Sequence, residues 1–212
     1  MTTVVLVDVC SGNLRSVARA LMASGATVVQ TRDPDVVRKA DKIVVPGQGA
    51  FGPFMRGLAE TGLGEVLVER LRAGTPYVGI CLGMQVLFEQ SQEQGQSPTP
   101  LPGLGLIAGH VERLRGGPGL KIPHMGWNQV QRPPDRINEP LLGGVANGAF
   151  VYFVHSYAVR PSDPNVIALT TDYGGEFCSA VRQDNLFACQ FHPEKSQAVG
   201  LAILRNFVED KR

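Results

Sequence analysis

The sequence predicts an α/β fold in which a mostly parallel central sheet is flanked by helices and continued by antiparallel strands. Over residues 1–90, short β-branched apolar runs alternate with segments whose apolar residues recur at helical spacing. This alternation predicts parallel strands joined by right-handed crossover helices. After a polar, proline- and glycine-rich loop at 92–102, the pattern changes to short strands of alternating apolar residues. These strands predict an antiparallel extension of the same sheet.

The individual elements follow from local patterns in chain order. The β-branched run at 4–7 suits a first strand covered on both faces, and apolar spacing over 14–22 predicts a helix with Asn13 as its cap. The parallel part continues with strands at 26–30, 42–45 and 76–80 and helices at 35–40, 54–58, 63–71 and 82–90. The antiparallel extension comprises strands at 106–114, 128–131, 150–155, 166–171 and 177–181, with a hairpin turn at Gly174-Gly175. A further short strand at 187–191 and a C-terminal amphipathic helix from Ser196 follow.

Length and composition restrict the class of protein. The chain has 212 residues, is 43% hydrophobic and carries a formal net charge of +1. A chain of this length and composition can bury one full hydrophobic core, so we expect residues 1–212 to form a single domain. The balanced charge without a basic stripe argues against nucleic acid and membranes as partners. No secretory signature precedes the first strand, so free thiols in a reducing cytoplasm are expected.

A cysteine follows the fourth predicted strand in the segment Gly79-Ile80-Cys81-Leu82-Gly83. The pattern predicts a strand, a one-residue turn and a helix, with the thiol at the apex and glycines that let the backbone cross itself. A helix N-terminus aimed at the sulfur favours the thiolate over the thiol. The alternative is that Cys81 is a small buried residue packed at a strand end.

A second segment, Phe191-His192-Pro193-Glu194, follows the last predicted strand. Proline keeps His192 extended, and in an extended segment residues i and i+2 point to the same side. Glu194 can therefore bind one ring nitrogen of His192 and leave the other nitrogen to take a thiol proton. The sequence thus predicts a nucleophile, a base and an orienting carboxylate in the order Cys81, His192, Glu194. The alternative is an ordinary strand-end histidine followed by the first acid of a helix.

These motifs resemble those of the class I, triad-type glutamine amidotransferases, whose fold is flavodoxin-like. The matching residues are Gly79 to Gln85, Pro46-Gly47-Gln48-Gly49-Ala50-Phe51 and Phe191 to Glu194. Three further segments are similar to the glutaminase subunits of imidazole glycerol phosphate synthase, a family of histidine biosynthesis. They are Asp8 to Val17, Lys121 to Asn128 and Tyr152 to Tyr157.

The resemblance implies a reaction and roles for individual residues. Cys81 would attack the glutamine side-chain amide to form a γ-glutamyl thioester and release ammonia, and no cofactor or metal is expected. The oxyanion hole would use the N–H of Leu82 and an amide of Gln48 or Gly49. The remaining implied contacts are Gln85, Glu93, Ser156 and Tyr157 for the substrate, and Asn13, His124 and Trp127 for a partner, the latter two in a glycine-containing turn.

A partner is implied because no second chemical motif occurs in the chain. The resemblance implies a heterodimer with a (β/α)8-barrel cyclase, which would use the ammonia to make imidazole glycerol phosphate and AICAR from a phosphoribosyl-formimino carboxamide ribonucleotide. Three alternatives stay open at this point. They are a glutaminase of another synthase (pyridoxal-phosphate or anthranilate type), a cysteine peptidase or other thiol hydrolase, and a non-enzymatic scaffold.

Overall fold

The computed structural model describes residues 2–9, 14–93, 99–117, 119–134 and 138–210. The first part of the chain forms β1 (Thr2–Val7), α1 (Leu14–Ala23), β2 (Ala26–Thr31), α2 (Pro34–Arg38), β3 (Ile43–Gly47), α3 (Phe51–Glu60), α4 (Leu63–Arg72), β4 (Tyr77–Cys81) and α5 (Leu82–Gln85). The second part forms β5 (Phe88–Ser91), β6 (Leu101–Pro102), β7 (Ile107–Arg113), β8 (His124–Gln129), β9 (Phe150–His155), β10 (Tyr157–Pro161), β11 (Ile167–Asp172), β12 (Glu176–Gln183), β13 (Leu186–Cys189) and α6 (Gln197–Glu209).

The main sheet confirms the predicted fold class. Its strand order is β2-β1-β3-β4-β13-β12-β10-β7-β5-β6, with β11 paired to β12. The five strands from β2 to β13 are parallel, and all later pairs are antiparallel except β5 with β7. The carboxyl ends of β3, β4 and β13 therefore meet at one edge of the sheet, which is where sites form in such folds.

Both faces of the central strand β1 are buried, as its β-branched composition predicts. Val4 and Leu6 pack into one hydrophobic cluster with α1 and α6, whereas Val5 and Val7 pack into a second cluster with α3 and α4. Successive strand residues point to opposite faces, so this strand contributes to both clusters. The helices therefore hold the sheet from two sides.

The helix predicted at 82–90 is shorter in the structure. Helix α5 ends at Gln85, and β5 begins at Phe88 and pairs with Ile107 of β7. The residues from Leu82 to Phe88 are all buried, so the spacing of apolar residues could not show where the helix ends. Pairing with β7 decides the conformation, and the carbonyl of Leu87 accepts the amides of Leu106 and Ile107.

The strand predicted at 128–131 also differs from the structure. Strand β8 spans His124–Gln129, and with β9 it forms a separate two-stranded antiparallel sheet rather than part of the extension. The segment placed in a glycine-containing turn is therefore a strand, in which His124 pairs with His155. Strands β6 and β10 were not predicted, whereas the hairpin turn at Gly174-Gly175 is confirmed between β11 and β12.

The predicted elbow at Cys81 is confirmed and depends on two glycines. Cys81 has φ 56° and ψ −106° between β4 and α5. A Cβ on Gly79 would lie 2.4 Å from the carbonyl oxygen of Gly83, and a Cβ on Gly83 would lie 1.9 Å from the carbonyl oxygen of Val45. Backbone atoms cannot move aside as a flexible side chain can, so both positions require glycine.

We expect Gly83→Ala to destabilise the fold by more than about 2 kcal/mol, because the methyl group would overlap the β3 backbone. Chemical denaturation measures the loss. Gly64→Ala in α4 is the control, because its methyl group would make only ordinary contacts at 3.6 Å or more. Equal stability of the Gly83 variant and the wild type would contradict this account of the elbow.

Candidate active site

The sulfur of Cys81 lies at the carboxyl end of β4, between the ends of two neighbouring strands. Cys81 pairs with Gly47 of β3 on one side, and Ile80 pairs with Cys189 of β13 on the other. Cys81 is 7% exposed, and it lines a pocket. Helix α5 has only four residues, so its dipole contributes less to the thiolate than the longer predicted helix would.

His192 and Glu194 follow β13 and form the predicted pair. His192 has φ −102° and ψ 99°, and Nδ1 lies 2.9 Å from Oε1 of Glu194. Their side chains are 2% and 1% exposed. The amide of His192 donates to the carbonyl of Tyr152 at 2.9 Å, and the hydroxyl of Ser196 donates to the carbonyl of His192 at 2.7 Å. These two bonds hold the backbone of His192 in place, and they thereby restrict the position of its ring.

The imidazole of His192 is cationic at neutral pH. Burial alone would lower its pKa, but the interactions with Cys81 and Glu194 outweigh burial and raise the pKa to about 9. The second ring nitrogen, Nε2, is buried and has no hydrogen-bond partner of good geometry among the described residues. His192 can therefore hold a proton beside the sulfur until an acceptor enters.

The residues predicted for an oxyanion hole lie around the same sulfur. Leu82 is the first helical residue after Cys81, so its N–H has no partner four residues back in the helix. Gln48 and Gly49 form an exposed turn after β3, and their amides donate to none of the described residues. Gly49 has φ +98° with open space around it. This turn can therefore reorient at low cost.

A pocket of about 440 Å³ opens onto the sulfur. Its lining includes all the residues predicted for the oxyanion hole and the substrate, together with others: Gln48, Gly49, Cys81, Leu82, Gln85, Glu93, Pro123, Val154, His155, Ser156, Tyr157, His192 and Lys195. Glu93 is half-buried, and its Oε2 accepts the amide of Phe51 at 2.9 Å. Burial raises the pKa of Glu93 despite that bond. Glu93 is therefore held in the pocket wall.

Gln85 is buried rather than solvated. Its Nε2 donates to the carbonyl of Tyr157 at 3.1 Å and to Oε1 of Gln190 at 2.9 Å. The amide of Gln190 in turn donates to Sγ of Cys81 at 3.4 Å. Oε1 of Gln85 has no hydrogen-bond partner in the described part of the chain, and it can accept a bond from the ammonium group of a ligand.

His124 does not face a partner in the structure. It is buried, and its ring stacks on those of Phe153 and Tyr173 at centroid distances of 4.7 and 3.9 Å. The pairing of β8 with β9 turns alternate residues inward, and His124 takes an inward position while Trp127, which is 46% exposed, points outward. Asn13 lies outside the described residues.

Gln190 and Lys195 are two site residues that the sequence did not predict. Gln190 is a polar residue in an otherwise apolar run, two positions before His192, and period-two spacing places it on the same side as that histidine. That spacing was a usable signal. Lys195 follows Glu194 directly, and its position in the pocket comes from the short 3-10 helix Pro193–Lys195, which no sequence pattern predicted.

Neither a metal site nor a membrane span was found in the described ranges. No group of three or more histidine, cysteine, aspartate or glutamate side chains is arranged to hold a metal ion there. Within the same ranges no helix combines the length and the apolar character needed to cross a bilayer.

Comparisons with known proteins show the family to which the chain belongs. The family model for class-I glutamine amidotransferases matches residues 5–211. The chain is 49% identical to the imidazole glycerol phosphate synthase subunit HisH of Geobacter sulfurreducens over the full length of both. It is 48% identical to the subunit of that name from Syntrophotalea carbinolica, covering 96% of this chain and 98% of the relative.

A solved structure described as a glutamine amidotransferase has the same fold. Its TM-score is 0.74 at 20% identity, with 97% of each chain covered. This likeness supports the architecture, and the sequence matches over nearly the whole chain decide the family. The chain belongs to the class-I glutamine amidotransferase family, and within it to the group of the HisH subunits.

Proposed function

We propose that this chain, as one domain over residues 1–212, is the glutaminase subunit of an imidazole glycerol phosphate synthase. It would hydrolyse glutamine and pass ammonia to a cyclase subunit in the cytoplasm. The observation that carries the chemistry is the buried pair of His192 and Glu194. The cationic ring of His192 interacts with Cys81, and both residues line the pocket. The relatives carry the choice of synthase, because they are named as this subunit. No observation favours the pyridoxal-phosphate, anthranilate or peptidase alternatives.

The first half of the reaction uses Cys81 as nucleophile. His192 takes the thiol proton at Nε2, and its interactions with Cys81 and Glu194, which raise the pKa of the ring to about 9, favour this transfer. The thiolate attacks the side-chain carbonyl carbon of glutamine, and the carbonyl oxygen becomes an oxyanion that the N–H of Leu82 and the turn at Gln48-Gly49 stabilise. His192 gives its Nε2 proton to the amide nitrogen. The C–N bond breaks, ammonia leaves and a γ-glutamyl thioester remains.

The second half of the reaction uses the same residues in reverse. Neutral His192 takes a proton from water, and the resulting hydroxide attacks the thioester carbon. The C–S bond breaks, the thiolate of Cys81 leaves, and the cationic ring is restored. Glu194 holds the ring through Nδ1 at 2.9 Å in both halves. The sum is glutamine and water converted to glutamate and ammonia.

The partner, a (β/α)8-barrel cyclase in our proposal, would dock on the outward face of β8–β9. This face carries the exposed side chains of Met125, Trp127 and Phe150. The Trp127 ring packs edge-on against Tyr152 at a centroid distance of 6.0 Å. Aromatic side chains and methionine are enriched where proteins bind each other. The site is also close by, because β9 continues directly into the pocket residues His155, Ser156 and Tyr157.

We expect Cys81→Ala to abolish glutamine-dependent synthesis in the assembled enzyme but to leave synthesis from added ammonia unchanged. The methyl group offers no nucleophile, whereas the cyclase needs only ammonia. Cyclase assays with each nitrogen source measure the two activities. Cys178→Ala, at another buried thiol that lies away from the pocket, is the control and should retain both activities. Glutamine-dependent synthesis by the Cys81 variant would disprove the proposed nucleophile.

We expect Glu194→Gln to move the alkaline limb of the kcat/KM profile to lower pH. His192 must be protonated to release ammonia, so the rate falls as pH rises through its pKa, which is about 9 in the wild type. Removal of the carboxylate charge takes away one of the interactions that raise this pKa. Glutaminase assays between pH 6 and 11 measure the shift. Glu112→Gln is the control, because this carboxylate is bound to Arg160 and does not line the pocket. An unmoved limb in the Glu194 variant would reject the role.

We expect the partner to raise glutaminase turnover, because the exposed turn at Gln48-Gly49 must reorient before it donates to the oxyanion. One missing oxyanion donor usually costs about 10²–10³-fold in rate. Steady-state kinetics with and without the cyclase and its ligand measure the effect. Equal turnover in both conditions would contradict gating by the turn.

The same titration locates the docking face. Trp127→Ala should raise the partner concentration for half-maximal activation by about thirtyfold, which corresponds to about 2 kcal/mol for a central aromatic side chain. Met22→Ala, at a comparably exposed apolar side chain on α1, serves as the matched control. An unchanged half-maximal concentration for the Trp127 variant would remove β8–β9 from the interface.

A further inference from the structure

Gln190 is a fully buried polar residue beside the nucleophile. It follows β13, is 0% exposed, and its backbone amide donates to the carbonyl of Ser179 at 2.9 Å. Both ends of its side-chain amide are also engaged, Oε1 with Gln85 and Nε2 with Cys81. Loss of either partner would leave a buried amide group unpaired and would cost free energy of desolvation. The contacts with Gln85 and Cys81 therefore define the role of this side chain.

The direction of these bonds is fixed by a backbone carbonyl. The oxygen of Tyr157 can only accept, so the Gln85 atom at 3.1 Å from it must be the NH₂ group. The second hydrogen of this NH₂ group points to Gln190, so the Gln190 atom at 2.9 Å must be the acceptor Oε1. The remaining end of Gln190 is therefore the NH₂ group, and it lies 3.4 Å from Sγ of Cys81.

The carbonyl of Tyr157 is itself held in place. It also accepts a hydrogen bond from Nδ1 of His155 at 2.8 Å, so Nε2 of His155 accepts in turn from Nδ1 of His124 at 3.0 Å. Burial lowers the pKa of His124 to about 4 and that of His155 to about 3, so both rings are neutral at physiological pH. The tautomers of both histidines are then fixed. The Tyr157 carbonyl, which sets the direction of the Gln85 and Gln190 hydrogen bonds, therefore keeps its own partners as the pH changes.

We propose that Gln190 is a further catalytic residue, whose side-chain N–H donates to Sγ of Cys81, stabilises the thiolate and aims it at the substrate carbonyl. This inference rests on the proposed role of Cys81 as nucleophile. Gln190 makes and breaks no covalent bond and transfers no proton. It acts where the sulfur is negative: before the attack on glutamine and again when the thiolate leaves the thioester.

The structure gives a reason for such a donor. Helix α5 has four residues, and its dipole is correspondingly short. Of the groups that favour the thiolate, His192 gives up its proton to ammonia during the reaction. Gln190 is neutral and keeps its hydrogen throughout. It therefore supplies stabilisation that stays constant when His192 changes charge.

The test is the pH profile for alkylation of Cys81 by iodoacetamide, followed by mass spectrometry of the peptide that contains Cys81. Gln190→Met keeps the approximate volume and removes the donor. We expect the midpoint of the profile to rise by about one pH unit, as for the loss of one charge-assisted hydrogen bond. Gln183→Met is the matched control, because Gln183 bonds the carbonyl of Leu106 away from the pocket, and its profile should match the wild type.

A second variant covers the case in which Gln190→Met does not fold. Gln190→Glu keeps an acceptor for Gln85 but places an oxygen against the sulfur, so its midpoint should rise at least as far. A wild-type midpoint in either folded variant would overturn the role of Gln190. Alkylation needs no glutamine turnover, so this failure is distinct from failure of the proposed function, which would be a wild-type complex that does not hydrolyse glutamine.

Discussion

The site depends on the backbone conformation of Cys81, which a residue other than glycine adopts at a cost of about 1–3 kcal/mol. With φ 56° and ψ −106°, Cys81 stays in place only because its surroundings determine it. Strands β3 and β13 pair with β4 on both sides, and the hydroxyl of Tyr77 donates to the carbonyl of Gly83 at 2.7 Å just beyond the turn. The strained turn presents the sulfur and the N–H of Leu82 on one side of the pocket. Without the close crossing at Gly79 and Gly83, neither group would be placed.

The polar groups behind the sulfur separate into a charged part and a neutral part. His192 and Glu194 form the charged part, and the pKa of His192 is raised to about 9. The neutral part runs from the two buried histidines through the Tyr157 carbonyl to Gln85 and Gln190, with both histidine pKa values lowered by burial. The Tyr157 carbonyl accepts from both His155 and Gln85, and it thereby fixes the donor and acceptor at each bond of the neutral part. This part therefore keeps its geometry while the charged part moves protons. Positioning and proton transfer are thus assigned to different side chains.

The sequence predicted what local patterns determine. Alternating strands and helices gave the parallel sheet, and two short motifs at the ends of β4 and β13 gave Cys81, His192 and Glu194, which the structure brings together. The rest depends on contacts between distant segments. The residues from Leu82 to Phe88 are all buried, so no alternation of exposed and buried positions distinguishes a helix from a strand there. The conformation of β8 depends on its pairing with β9, which is distant in the sequence and which no local pattern predicts. For the same reason His124 was assigned to the surface, although its ring stacks between neighbours in the core.

Tyr152 connects the proposed docking face to the catalytic histidine. Its ring packs on Trp127 at the surface, and its carbonyl accepts the amide of His192 at 2.9 Å. Its own amide donates to the hydroxyl of Ser196, which in turn donates to the carbonyl of His192. A partner bound to β8–β9 would thus contact Tyr152, which holds the N–H of His192 directly and the C=O of His192 through Ser196. Ordering this face would restrict the backbone that carries the ring, so coupling between the subunits requires no rearrangement of the sheet.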